Sequence, residues 1–170
     1  MRIAVLDIET TGLNATYGRL LCACFKFDDE RRPRTVEVPL TKDEPKALKQ
    51  IKAWYSEADV VATWNGKRFD VPFINGRLMV HKMDPLPAKM HKDLLYESKK
   101  MRFNSHSLMN MSENMGLANR KHNVEARHWT LAAEGNNASR NKIVKHCQYD
   151  VVMTEEIMER FRPLVINITR

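Results

Sequence analysis

Four acidic side chains in three separated segments, Asp7 with Glu9, then Asp70, then Asp150, are the residues of this 170-residue chain best suited to chemistry. Asp7 and Glu9 lie in an apolar, β-branched run, Ile3-Ala4-Val5-Leu6-Asp7-Ile8-Glu9, that ends at Thr10-Thr11-Gly12. Such a run reads as a buried strand. Side chains alternate across a strand, so both carboxylates point to one side. Two carboxylates side by side near a core repel each other and lose hydration, which is costly unless cations balance them. Clustered hard oxygen donors suit Mg²⁺ or Mn²⁺. His146 stands four residues before Asp150. On a helix the two share a face, and an imidazole there is suited to taking a proton from water.

The elements that must position these groups are readable in the same way. Ile3 to Ile8, Leu20 to Phe27 and Thr35 to Leu40 form three strands of an antiparallel meander. Thr41 to Pro45 carries helix-start signals, and a helix runs to about Glu57, with Leu48, Ile51, Trp54 and Tyr55 at spacings of three and four. Val60 to Trp64 is a buried strand, and Asn65 to Phe69 a turn. Asp70 then opens a helix whose first turn accommodates Pro72. Ala88 to Leu94 is a last short strand, with Asp93 as a cap. Ser107 to Met115, a segment near Trp129, and Ser139 to Phe161 are helical. Trp64 and Trp129 read as core. Antiparallel strands followed by alternating helix and strand predict an α/β mixed sheet flanked by helices, in one domain over residues 1–170.

The chain carries 28 basic and 21 acidic residues, a net charge of +7. The excess is uneven: residues 82–145 hold twelve basic and six acidic side chains, Arg120 and Lys121 among them. A basic segment suits a polyanion, most simply nucleic acid, or is only a solvated surface. Cys22, Cys24 and Cys147 have neither disulfide nor zinc-site spacing. An odd count in a Met-rich chain fits a reducing, cytoplasmic setting. No apolar run approaches membrane-spanning length, and the first residues read as a strand rather than a signal peptide. The Asn-x-Ser/Thr triplets at Asn14, Asn137 and Asn167 are therefore read as chance matches.

Asp7-Ile8-Glu9-Thr10-Thr11-Gly12-Leu13 resembles the first motif of the DEDD exonuclease superfamily. Trp64 to Asp70, with Phe73 and Ile74, resembles the second, and His146-Cys147-Gln148-Tyr149-Asp150-Val151 the third. The match in order and spacing runs from about residue 2 to 158. It implies a ribonuclease H-like fold and 3′-to-5′ removal of nucleotides from single-stranded ends, with two divalent ions, Mg²⁺ or Mn²⁺, held by Asp7, Glu9, Asp70 and Asp150. It also implies roles around the metals. The Thr10, Thr11 and Leu13 amides would hold the terminal 3′-hydroxyl, Leu13 would wedge between the last two bases, and Asn65 would hydrogen-bond a nucleotide. One branch of that superfamily places a Tyr four residues before the last Asp, and another a His five residues before it. This chain has His146 at the Tyr spacing, and we assign it the proton-accepting role. Tyr149 points about 100° away around the helix.

The leading expectation is a metal-dependent 3′-to-5′ exonuclease, with DNA preferred, as a small stand-alone enzyme of phage or bacterial type. A ribonuclease H-like structure-specific endonuclease would use the same carboxylates within a duplex. A non-catalytic nucleic-acid-binding module of the same fold is the third alternative.

Overall fold

A computed structural model describes residues 1–117 and 123–164 of the chain. Arg120, Lys121 and Asn167, singled out above, lie outside the described residues. The sheet has five strands: β1 (Ile3–Thr10), β2 (Leu20–Phe27), β3 (Arg34–Glu37), β4 (Val60–Thr63) and β5 (Met90–Asp93). Their order across the sheet is β3-β2-β1-β4-β5. The β1–β2 and β2–β3 pairs are antiparallel, and β1–β4 and β4–β5 are parallel. The expected mixed sheet is therefore present. β3 stops at Glu37, short of the expected Leu40, because Pro39 has no N–H to donate to the ladder. β5 begins only at Met90, just beyond Pro85 and Pro87.

Two helices cover one face: α1 (Glu44–Glu57) and α2 (Asp70–Val80). Ala4, Leu6 and Ile8 of β1 pack with Leu48, Ile51 and Ile74 in this layer. The opposite face is closed by α4 (Leu108–Asn114), α5 (Arg127–Ala133) and α6 (Asn137–Phe161), with the short α3 (Leu94–Ser98) at one side. Here Ile3 and Val5 meet Ile143, Cys147, Val151 and Ile157. Each such fully buried Ile or Val contributes roughly 1.5–3 kcal/mol. The period of two along β1 thus continues the Ile3–Val5 row into Asp7 and Glu9, on the α6 side.

α6 starts two residues earlier than its apolar pattern predicts, because the Asn136 side chain caps it by accepting from Ser139 N–H. It is fastened to the sheet by more than apolar contact. The buried Lys26 ammonium donates to Glu155 Oε1 at 2.7 Å, and Gln148 Nε2 donates to Thr35 Oγ1 at 2.8 Å. The Cys147 thiol donates to the Asp7 carbonyl at 3.4 Å. Although distant in sequence, Cys147 and the strand pair Cys22 and Cys24 share the buried layer beneath Asp7 and Glu9. No helix among the described residues is long and apolar enough to cross a membrane.

Candidate active site

Asp7 and Glu9 stand at the carboxyl end of the central strand, opposite Cys24 and Cys22 of β2. The pairing register shifts between Glu9, opposite Cys22, and Thr10, opposite Leu20, an irregularity at the end of the strand. Asp70 opens α2, and its Oδ1 accepts from the Ile8 N–H at 3.1 Å, which fastens the second acidic segment to the first. The turn that delivers Asp70 is itself clamped. Asp93, at the end of β5, accepts from Asn65 N–H at 2.8 Å and Lys67 N–H at 3.0 Å, and caps α3 by accepting from Leu95 N–H. Asn65 has φ of 68°. Gly66 lies so close to Thr63 that a Cβ there would fall 2.5 Å from Thr63 Cβ. Thus Asp93 is the expected cap and also the brace of the Asp70 turn, while Asn65 contributes backbone geometry and leaves its side chain half-buried.

α6 supplies the remaining groups. His146 Nε2 lies 3.7 Å from Glu9 Oε1 and 3.8 Å from Asp150 Oδ2, so the imidazole sits between two of the carboxylates. Trp129 of α5 completes the wall. Its indole N–H donates to Glu9 Oε2 at 2.7 Å, and its ring meets His146 edge-on with centroids 5.6 Å apart. Trp129 is therefore a site residue rather than the pure core residue its apolar character suggests. α5 is held in register by Arg19, whose Nη2 donates to the Ala133 carbonyl at 2.9 Å.

The electrostatics follow from this crowding. Burial, then the nearby charges of Asp70, Asp150 and Glu9, raise the Asp7 carboxyl well above its ordinary range. Asp70 is pushed up to about 7, chiefly by burial, against the opposing hydrogen bond from Ile8. Asp7 Oδ2 is buried with no hydrogen-bond partner. The oxygen donors of such crowded, buried acids suit a hard divalent ion. Among the described residues, no three His, Cys, Asp or Glu side chains already converge as a ready-made ligand set.

Beside the acids the 11–19 loop shapes two depressions. One, of about 290 Å³, is lined by Glu9, Thr10, Thr11, Leu13, Phe69 and Trp129. The other, of about 280 Å³, is lined by Leu13, Asn14, Arg68, Phe69 and Phe73. Leu13, 86% exposed, stands between them. The amide proposed for Thr11 is already engaged: its N–H donates to Arg19 O at 3.0 Å, and Thr11 Oγ1 accepts from Arg19 N–H at 3.0 Å. Thr10 Oγ1 donates to Gly12 O at 2.7 Å. These bonds stiffen the loop that carries Leu13.

The family model of the RNase H superfamily matches residues 4–162. The chain belongs to the RNase H superfamily. Its fold is also that of part of a family B DNA polymerase from the hyperthermophilic archaeon Pyrobaculum calidifontis, with a TM-score of 0.76 at 16% sequence identity. That likeness covers 96% of this chain and 25% of the polymerase, so this superfamily member spans a quarter of that protein. No curated protein sequence matches it.

Proposed function

We propose that this RNase H superfamily member is a metal-dependent 3′-to-5′ exonuclease acting on single-stranded ends, DNA by preference. The observation that carries this reading is that Asp7, buried with an unsatisfied Oδ2 on β1, lies near enough to Asp70 of α2, Asp150 of α6 and its strand neighbour Glu9 for their charges to raise it. Burying Asp7 beside three further acids is costly in a purely structural role, whereas a cation there would balance them. These four side chains would hold two divalent ions, Mg²⁺ or Mn²⁺, whose chemistry is to acidify a bound water and to neutralise charge on a phosphate.

The chain's own groups do the rest. His146, whose Nε2 lies between Glu9 and Asp150, accepts the proton of the attacking water. Trp129 holds Glu9 in one rotamer, so that it presents Oε1 toward His146. Leu13 separates the two depressions, each of a size to seat a base, and so serves as a wedge between the last two nucleotides. Asn65 and the Thr10–Leu13 segment border the terminal nucleotide, and the exposed Lys67 and Arg68, close in sequence to Asp70, are available to its phosphates.

The deciding experiment incubates 5′-labelled and 3′-labelled oligonucleotides, DNA and RNA, with Mg²⁺ or Mn²⁺, alongside a circular single strand. A ladder shortening from the 3′ end, with the circle intact, is expected. Cleavage of the circle would replace the exonuclease reading with an endonuclease. Binding of every strand without turnover, in wild type and Asp7→Ala alike, would leave a nucleic-acid-binding module.

A further inference from the structure

Beyond the carboxylate cleft, a larger cavity of about 420 Å³ is walled by Val124, Glu125, His128, Lys142, Lys145 and Tyr149. Three of these lie on one stripe of α6, at positions i, i+3 and i+7. His146 and Asp150 occupy the adjoining stripe, about 100° further around the helix. α5 serves both places at once: Trp129 reaches Glu9, and its neighbour His128 turns into this cavity.

The cavity wall is built around its lysines. The Lys142 ammonium donates to His128 Nε2 at 3.2 Å. An ammonium has no acceptor, so Nε2 must accept and Nδ1–H is left to donate to Ser139 Oγ, 3.0 Å away. His128 and Ser139 are buried, and Ser139 is held in turn by the Asn136 cap. This relay aims Lys142 at the cavity without neutralising it. Among the described residues neither Lys142 nor Lys145 has a carboxylate partner. The one acid on the wall, Glu125, is engaged by Arg127 at 2.9 Å. Two ammonium groups without counter-ions repel cations and attract anions, and the half-buried Tyr149 offers an aromatic surface beside them.

We infer that this cavity is a second nucleotide subsite, which takes one nucleotide of the bound strand away from the scissile bond. Lys142 and Lys145 take its phosphates, and the ring of Tyr149 takes its base. This deepens the reading of the carboxylate cleft and rests on it for the identity of the polyanion. A strand leaving the acids across α6 passes from one stripe of the helix to the next, so a single chain can occupy both. Paired cation and aromatic contacts of this kind recognise single strands without reading sequence.

The test is fluorescence anisotropy of a labelled ten-nucleotide single strand in EDTA, over a series of NaCl concentrations. Wild type is compared with Lys142→Gln/Lys145→Gln, with Tyr149→Ala, and with Lys46→Gln/Lys49→Gln on α1. The α1 pair removes the same charge at the same spacing from positions away from the cavity. Thermal melts establish that each variant is folded. The cavity pair is expected to weaken binding about tenfold or more and to lower the salt slope by about 1.4, that is, roughly 0.7 for each phosphate no longer neutralised. Tyr149→Ala is expected to weaken binding without changing the slope, and the α1 pair to change affinity less than about twofold. Equal losses for the two lysine pairs, or none for the cavity pair, overturn the subsite while leaving the cleft reading intact. Loss of binding in the cavity pair from a wild type that binds but never cleaves keeps the subsite and overturns the nuclease. Failure of wild type to bind any strand overturns both.

Discussion

Trp129 Nε1 donates to Glu9 Oε2 at 2.7 Å, joining residues 120 positions apart. The bond fixes the carboxylate rotamer, and the same indole ring braces His146 edge-on. A hydrogen bond to a charged group is worth roughly 1.5–3 kcal/mol. Trp129→Phe keeps a ring and removes the donor. Its single-turnover cleavage rate should fall roughly 10- to 100-fold, with a larger requirement for Mn²⁺ and a melting temperature close to wild type. An unchanged rate would show that Glu9 needs no such support.

His146 is the group assigned to take the proton. His146→Ala should cost roughly 10²–10⁴-fold in turnover, the usual size for a general base. Free imidazole in the assay should restore part of that loss, which a merely structural residue would not permit. Full activity in the alanine variant would assign the proton to solvent or to a carboxylate.

The raised value of Asp70 has a thermodynamic signature. A carboxyl whose folded value lies above its unfolded value of 3.8 binds its proton more tightly when folded. Its contribution is therefore complete below 3.8 and disappears as pH rises through about 7. In metal-free protein, Asp70→Asn should thus be more stable than wild type at pH 8, by on the order of 2–4 kcal/mol, and the difference should shrink toward pH 4. Mn²⁺ should stabilise wild type at pH 8 and leave the variant nearly unaffected. Calorimetry with and without EDTA measures both effects. A difference that does not vary with pH would mean that Asp70 is not strained.

The opposite sign is expected at Glu44, which is fully buried at the start of α1. Burial alone would raise it, but Arg77, at 2.6 and 3.0 Å, together with His81 and the Leu20 N–H, holds it below its ordinary value of 4.5. Its stabilisation is present above that value and is lost as pH falls beneath it. Glu44→Gln leaves the Arg77 guanidinium buried without its partner, and should cost about 3–5 kcal/mol in urea denaturation at pH 7. The loss should diminish in acid. A cost below about 1 kcal/mol at pH 7 would mean that water reaches the cluster.

The parts of this site that lie in short sequence windows were legible there. Asp7 and Glu9 declare themselves through the period of two in an apolar run, and Asp70 through the turn before it. His146 and Asp150 do so through their spacing of four. Trp129 was not legible, because a lone tryptophan in a short helix looks like core, and only the fold brings its N–H to Glu9. The early end of β3 was written in Pro39 but outweighed by the neighbouring apolar residues. The engagement of the Thr11 amide by Arg19 depends on how the 11–19 loop closes, and no local pattern encodes that. The convergence of Cys147 with Cys22 and Cys24 is likewise a product of α6 docking, not of spacing.

That docking has a consequence for the order of events during synthesis. Three of the four acids, Asp7, Glu9 and Asp70, leave the ribosome early, whereas Asp150 and His146 arrive together on α6. A nascent chain that has built its strands and α2 therefore lacks two of the groups to which the proposed chemistry is assigned, the fourth carboxylate and the imidazole. If the proposed activity holds, this last long helix acts as a firing pin: until it seats against Lys26 and Thr35, the partly made protein would pose no hazard to the nucleic acid around it.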